Sequence, residues 1–542
     1  MFTHIGNTRT RRRLAATSAL IAALAVAVPA SQADAQTFRW AFQGDLQSLD
    51  PHALNETFTL GFLGNVYEGL TAYDKDLNLI PALAESWENV GPTTWIFRLR
   101  KGVKFHNGNP FTAADVVMSW KRSLSEGSDM KAYGRKIKDI RIIDDYTIEI
   151  ETPAPNPILP RDLVFLYIMD AEWAEANNTL EATNVKGGEE GNYANLNANG
   201  TGPFMVVERQ PDVRTVLVRA PDYWREIEGN VERGVFTPIA QDATRVAALI
   251  SGELDMAYPI PVQDWDRLEA AEGVRPLTGP EARTIFLGMD QARDELLYSN
   301  VKGRNPFKDR RVRLAFALAI DVEAIRDKIM RGASVPAGLM VAPQINGFNP
   351  ELNDRWPYDP ERAKALLAEA GYPDGFEITM DCPNNRYVND EKICQAVAAM
   401  LAKIGVKVDL LAQPKSKYFA KVLAQNDYDT SFYLLGWTPG TFDSHNPIFN
   451  LMMCRDKETG AGLFNLGGYC NPRVDELGRL IESETDPEKR QAMIDEAFRI
   501  HKEDVGHIPL HQQPLSWGVR DGIALVQRPD NVLDLRYVRV LD

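Results

Sequence analysis

Apolar residues recur along this chain with two different periods, and the period switches many times. Segments 95–99 (Trp-Ile-Phe-Arg-Leu), 376–380 and 406–410 place apolar residues at every second position, which predicts strands with one buried face. Elsewhere the spacing is three to four residues. After Thr112, the residues Val116, Trp120 and Leu124 fall on one helix face, and Asp115 completes a capping box with Thr112. That face predicts core packing rather than a cofactor site. Asp359-Pro360 opens an Ala/Leu-rich helix ending at Gly371, and Asp486-Pro487 opens another through Ile500. The segments 376–380 and 406–410 flank a helix over about 391–403, so a strand–helix–strand unit and a parallel sheet are expected. The Asn/Gly-rich stretch 177–202 predicts a flexible connection, and 343–360 a second one.

The first 35 residues break this pattern. Arg9, Arg11, Arg12 and Arg13 precede an apolar run from Leu14 to Val28, and Ala33-Asp34-Ala35 stands before Gln36. This is the layout of a cleaved secretory leader, with an apolar run too short for a membrane span. Thr10-Arg11-Arg12-Arg13-Leu14 also resembles a twin-arginine signal, so both the Sec and the twin-arginine export routes stay open. No cysteine precedes Cys382, which predicts a periplasmic product without a lipid anchor. Removing 1–35 takes away four arginines and one aspartate, so the formal charge goes from -15 to -18. Such an acidic chain argues against a nucleic-acid or anionic-membrane partner. The remaining length predicts two to four domains, and the 44% apolar share suffices for ordinary globular cores.

Four cysteines in an oxidising compartment allow three pairings. Two local bridges, Cys382 with Cys394 and Cys454 with Cys470, are the simplest choice, with free buried thiols the alternative for the first pair. No C-x-x-C spacing points to a metal site. His501, His507 and His511 do not share a helix face, and Pro509 interrupts any helix there, so they read as surface or strand-end residues. The sequence contains no G-x-S-x-G, G-K-[ST] loop, H-E-x-x-H or G-x-G-x-x-G pattern. It therefore predicts neither an enzyme nor a cofactor.

Several strings resemble the family-5 extracellular solute-binding proteins of ABC importers. The most specific runs from Leu83-Ala84-Glu85-Ser86-Trp87 through Leu99-Arg100-Lys101-Gly102-Val103-Lys104-Phe105-His106-Asn107-Gly108 to Pro110-Phe111-Thr112-Ala113-Ala114-Asp115. Tyr67-Glu68-Gly69-Leu70 precedes it, and Gly200-Thr201-Gly202-Pro203-Phe204, Pro221-Asp222-Tyr223-Trp224 and Cys470-Asn471-Pro472 follow it, all in the expected order. The resemblance implies a two-lobed α/β periplasmic binding protein fold, type II and cluster C, with an extra inserted domain and a ligand cleft between lobes. Lobe one would take 36–80, 204–283 and 516–542, the inserted domain 81–203, and the second ligand-binding lobe 284–515. It further implies a monomer that captures di- or oligopeptides, or peptide-like solutes, and delivers them to a membrane permease. An opine, sugar conjugate or metal chelate is the alternative cargo, and a chaperone-like or sensory receptor the alternative role.

The same resemblance points to site residues. An acid on the loop after Gly436-Trp437 would hold a peptide ammonium, and Asp443 is the candidate, with Trp437 as a flat apolar wall. Relatives place an acid where this chain has Gly440, or a D-x-D pattern where it has His445, so His445 and Asn446 are candidates for an acidic or sugar-bearing ligand. Arg386, in the loop after 376–380, would hold a carboxylate with its planar fork. Thr57, Phe58 and Thr59 would line the cleft from the first lobe.

Overall fold

Two long strands organise the molecule, whose computed structural model describes residues 36–185 and 191–541. The expected leader lies outside the described residues. Val274–Met289 and Ile508–Arg520 pair antiparallel from Val274 opposite Arg520 to Leu287 opposite Ile508. Both far exceed the usual strand of about five or six residues, so they run through two halves of one sheet. At the Val274 end the sheet continues through Met256–Tyr258, Thr37–Phe42, Arg233–Pro238, Arg214–Arg219 and Phe204–Gln210. At the Met289 end it continues through Phe432–Trp437, Glu377–Pro383 and Lys407–Gln413. The register slips between Pro280 and Thr284 and again between Ile285 and Phe286. A bulge there bends the strands and admits prolines that cannot donate to the ladder.

Each half builds its own core. Phe38, Trp40, Phe62, Phe236 and Trp517 pack in the first, and Phe307, Phe316, Ile378, Val397 and Phe432 in the second. A separate antiparallel sheet, ordered Ala84–Gly91, Thr94–Leu99, Thr147–Glu151 and Asp139–Asp144, closes over Phe97, Phe111, Trp120 and Ile148. This is the two-lobed α/β architecture with an additional sheet.

Local chemistry explains the elements. Thr112 and Asp115 form the capping box of Ala113–Ser123, whose Val116 and Trp120 are buried. Asp359 caps Pro360–Glu369, and Asp486 caps Pro487–Glu503. The strand–helix–strand unit comprises Glu377–Pro383, Asp390–Ala402 and Lys407–Gln413, with parallel strands. Cys382 is bridged to Cys394 and Cys454 to Cys470.

Two expectations need correction. Residues 191–202 are packed rather than loose: Asn199 donates to Asp170, and a Cβ on Gly200 or Gly202 would come within 2.6 Å of the Val66 carbonyl oxygen. Glycine is used here for close approach of two backbones. His501, His507 and His511 are not surface residues. All three are buried; His501 Nε2 lies 2.9 Å from His507 Nδ1, and the other ring nitrogen of His507, Nε2, faces the Tyr433 hydroxyl.

Candidate ligand-binding site

The strand Phe432–Trp437 is buried almost throughout because it lies in the middle of the sheet beside Val274–Met289. Its end delivers Trp437 and a polar loop, 438–444, to the gap between the sheet's two halves. From the other side comes the helix Thr57–Leu63, which begins at Glu56. Glu56 Oε1 accepts from Phe58 N at 3.0 Å, while Oε2 accepts from Thr59 N at 2.8 Å and from the Thr59 hydroxyl at 2.9 Å. Those bonds satisfy helix-start N–H groups and fix the carboxylate.

Between these elements lies a cavity of about 330 Å³. Asn55, Glu56, Thr57 and Leu60 line it from the helix side, with Asp530 and Val532 beside them. Thr438, Pro439, Gly440 and Phe442 line it from the loop. Tyr133 and Phe165 complete the wall, their ring centroids 6.4 Å apart. Its size falls within the range of small-ligand pockets. The two sides also touch directly. Tyr73 meets Phe442 edge-on at 5.2 Å and donates its hydroxyl to the Thr441 carbonyl at 3.1 Å. Of the lining residues, Thr438 has a buried hydroxyl oxygen without a protein partner. Buried polar groups are rarely left so, which marks this gap as a place where another molecule completes the hydrogen bonding.

The residues read from sequence divide sharply. Thr57 lines the cavity. Phe58 turns away and stacks on Phe42 at 4.0 Å, and Thr59 is buried against Glu56. Trp437 donates its indole N–H to Asn446 Oδ1 at 2.8 Å and packs on Phe464, so both it and Asn446 are engaged within the second lobe. Asp443, expected to meet an ammonium, is fully buried and already saturated. Its Oδ1 accepts from Arg490 Nη2 at 2.7 Å and His445 N at 2.9 Å; its Oδ2 accepts from Arg490 Nη1 at 2.9 Å and Asn346 Nδ2 at 2.7 Å. Burial alone would raise its pKa, but the Arg490 guanidinium overrides that and holds it below the usual carboxylate range.

His445 faces a second, smaller cavity of about 110 Å³, shared with Glu482 and Arg490 on one side and Lys136 and Asn156 on the other. Its Nε2 bonds the Gly478 carbonyl at 3.0 Å, and burial lowers its pKa. Arg386 is solvent-exposed beside the buried ring of Tyr387, with its guanidinium 5.1 Å from the ring centre and that of Arg283 5.9 Å from it. Partial enclosure, then the charge of Arg283, lowers the Arg386 pKa. Arg283 is paired with Glu281 at 3.1 Å, whereas Arg386 has no carboxylate within ion-pair distance among the described residues. Sequence reasoning missed Glu56, Tyr133, Phe165 and Asp530. Glu56 alone carried a signal, standing directly before the Thr57 segment.

A cavity lined from both halves of a shared sheet, with a buried hydroxyl awaiting a partner, defines a two-lobed solute-binding protein. The family described as bacterial extracellular solute-binding proteins, family 5 (Middle), matches residues 78–459, and the chain belongs to it. The glutathione-binding protein GsiB of Pectobacterium atrosepticum is 28% identical over 460 residues, covering 83% of each chain. The periplasmic binding protein DppA of Helicobacter pylori, solved with the peptide STSA, superimposes with a TM-score of 0.69 at 23% identity, covering 93% of this chain and 98% of its own. The substrate-binding protein CtaP of Listeria monocytogenes gives a TM-score of 0.79 at 21% identity, covering 93% of this chain and 99% of its own. No helix among the described residues is long and apolar enough to cross a membrane.

Proposed function

We propose that this chain is the solute receptor of an ABC importer, exported by its leader without a lipid anchor, whose cargo is a di- or oligopeptide or a peptide-like solute. The observation that carries this reading is the 330 Å³ cavity lined from both lobes and bordered by the unpartnered Thr438 hydroxyl. A ligand bound there touches both lobes only when they are shut, so its binding shifts the population to the closed form. The permease then recognises that closed monomer. Relatives named for glutathione binding, and fold neighbours solved with peptides, support a peptide-class cargo.

The division of labour follows the chemistry. Arg386 is suited to a carboxylate, since it and Arg283 crowd one aromatic ring and only Arg283 has an acid. Asp443 serves as an internal clamp in place of the ammonium contact, because all of its acceptor sites are filled. Lobe one takes 36–80, 204–283 and 516–542, the inserted domain 81–203 and the second lobe 284–515. Their long crossing strands provide the hinge at the register slip.

Native mass spectrometry of the purified protein, followed by calorimetric titration of the co-purified species, tests the reading. A peptide-range mass that rebinds with a one-to-one stoichiometry is the expected result. An opine, sugar conjugate or metal chelate would keep the transport role and change the cargo. Absence of rebinding by any small solute, with tight binding of unfolded polypeptides instead, would sink it.

A further inference from the structure

We propose that Glu56, on the first lobe, is the cation anchor of the interlobe cavity and holds the ammonium of the bound peptide; this rests on the peptide reading above. The cavity lining contains no lysine, arginine or histidine and two carboxylates, Glu56 and Asp530. Asp530 is neutralised by Arg528, whose Nη2 and Nε donate to it at 2.6 and 3.2 Å. The bonds found for Glu56 all come from its own helix and involve no cation.

A carboxylate offers about four lone-pair positions. Two on Oε2 and one on Oε1 are used by Thr59 and Phe58, which leaves one acceptor position on Oε1 and the full negative charge. Because those bonds already fix the side chain, a ligand need not order it, and the contact forms at little entropic cost. The rest of the lining suits a cation as well. Tyr133, Phe165 and Phe442 present aromatic rings, whose faces attract positive charge. Thr438, from the opposite lobe, has a buried hydroxyl oxygen without a protein partner. An ammonium has three donors, so it can be satisfied by acceptors from both lobes at once, and only in the closed form.

The test uses the full mature chain and two probes: an equimolar library of free-amine tripeptides and the same library N-acetylated. Native mass spectrometry under competition reads the ratio of the two captured pools. Wild type is expected to favour the free amines at least tenfold. Glu56→Gln and Glu56→Ser are each expected to abolish that preference, bringing the captured ratio of the two pools to about one. Serine retains an N-cap acceptor, so the second variant keeps the helix start intact, and thermal unfolding of both variants verifies the fold. If wild type discriminates and the variants discriminate equally well, Glu56 is not the anchor although the peptide reading stands. If wild type captures peptides of both pools equally, the cavity does not recognise an ammonium and the assignment falls. If wild type captures neither pool, the peptide reading falls and the assignment with it.

Discussion

Two carboxylates flank the gap between the lobes, and they are built for opposite purposes. Asp443, on the second-lobe loop, has four acceptor positions filled by Arg490, Asn346 and His445 and no exposure to solvent. Glu56, at the start of a first-lobe helix, has three filled by its own helix and opens onto the cavity. Having an acid in the expected loop is therefore not enough to recognise a cation. What matters is whether the protein has already spent that acid's charge on itself.

The largest expected effect breaks the closed member of this pair. Asp443→Ala leaves Arg490 buried and unpaired, and removal of one partner from a buried ion pair typically costs about 3–5 kcal/mol. Urea unfolding should show that loss, with ligand affinity unchanged once the remaining folded protein is counted. A variant of native stability but weakened binding would reverse the roles assigned to the two acids.

Arg386 sharpens the comparison from the cationic side. It is open and lacks an acid, so Arg386→Ala should leave the unfolding midpoint where it is, or raise it slightly by relieving Arg283. Affinity for a ligand carrying a carboxylate should fall by about 1.5–3 kcal/mol, the value of a charge-assisted hydrogen bond. Calorimetry with the ligand and its carboxamide separates the cases. Equal loss for both would mean that Arg386 acts on the shape of the Tyr387 loop and not on charge.

What could be read in advance followed the range of the interaction. Thr112 with Asp115, Asp359 with Pro360, and Asp486 with Pro487 declare helix starts within four residues, and all three helices start there. The cysteine bridges close over 12 and 16 residues, again a local matter. The loop after Trp437 was also legible, because a strand ending in Gly-Trp leads into it. Which acid near the gap remains free was not legible. Arg490 reaches Asp443 from 47 residues away, and Tyr133, Phe165 and Asp530 join Glu56 only through the fold. Residues 191–202 misled for a different reason: Gly200 and Gly202 permit tight packing against Val66 as readily as glycine permits mobility.

The smallest effect concerns a third acid, Asp162, whose field includes Asp443 across the lobes. Burial, opposed by Lys136 and Asn156 and reinforced by Asp443, pushes its pKa up to about 6. A carboxylate raised in this way is protonated in the folded protein while already ionised in the unfolded chain. Its contribution to stability is therefore greatest below about pH 4 and declines as pH rises to about 6. Buried histidines act in the opposite sense. His52 and His106 are pushed down to about 4, so the unfolded chain takes up protons first and acid destabilises the fold below about pH 6.5. The wild-type profile alone thus hides Asp162. The difference in unfolding free energy between Asp162→Asn and wild type isolates it, because the histidines cancel. That difference should shift in favour of the variant by about 1–2 kcal/mol between pH 4 and pH 7, at about 1.4 kcal/mol per pKa unit less relaxation. Repeating the measurement in the Asp443→Asn background should reduce the shift, since one source of the raised pKa is gone. A difference curve that is flat with pH would mean that Asp162 is hydrated and that the lobes do not press these two acids together.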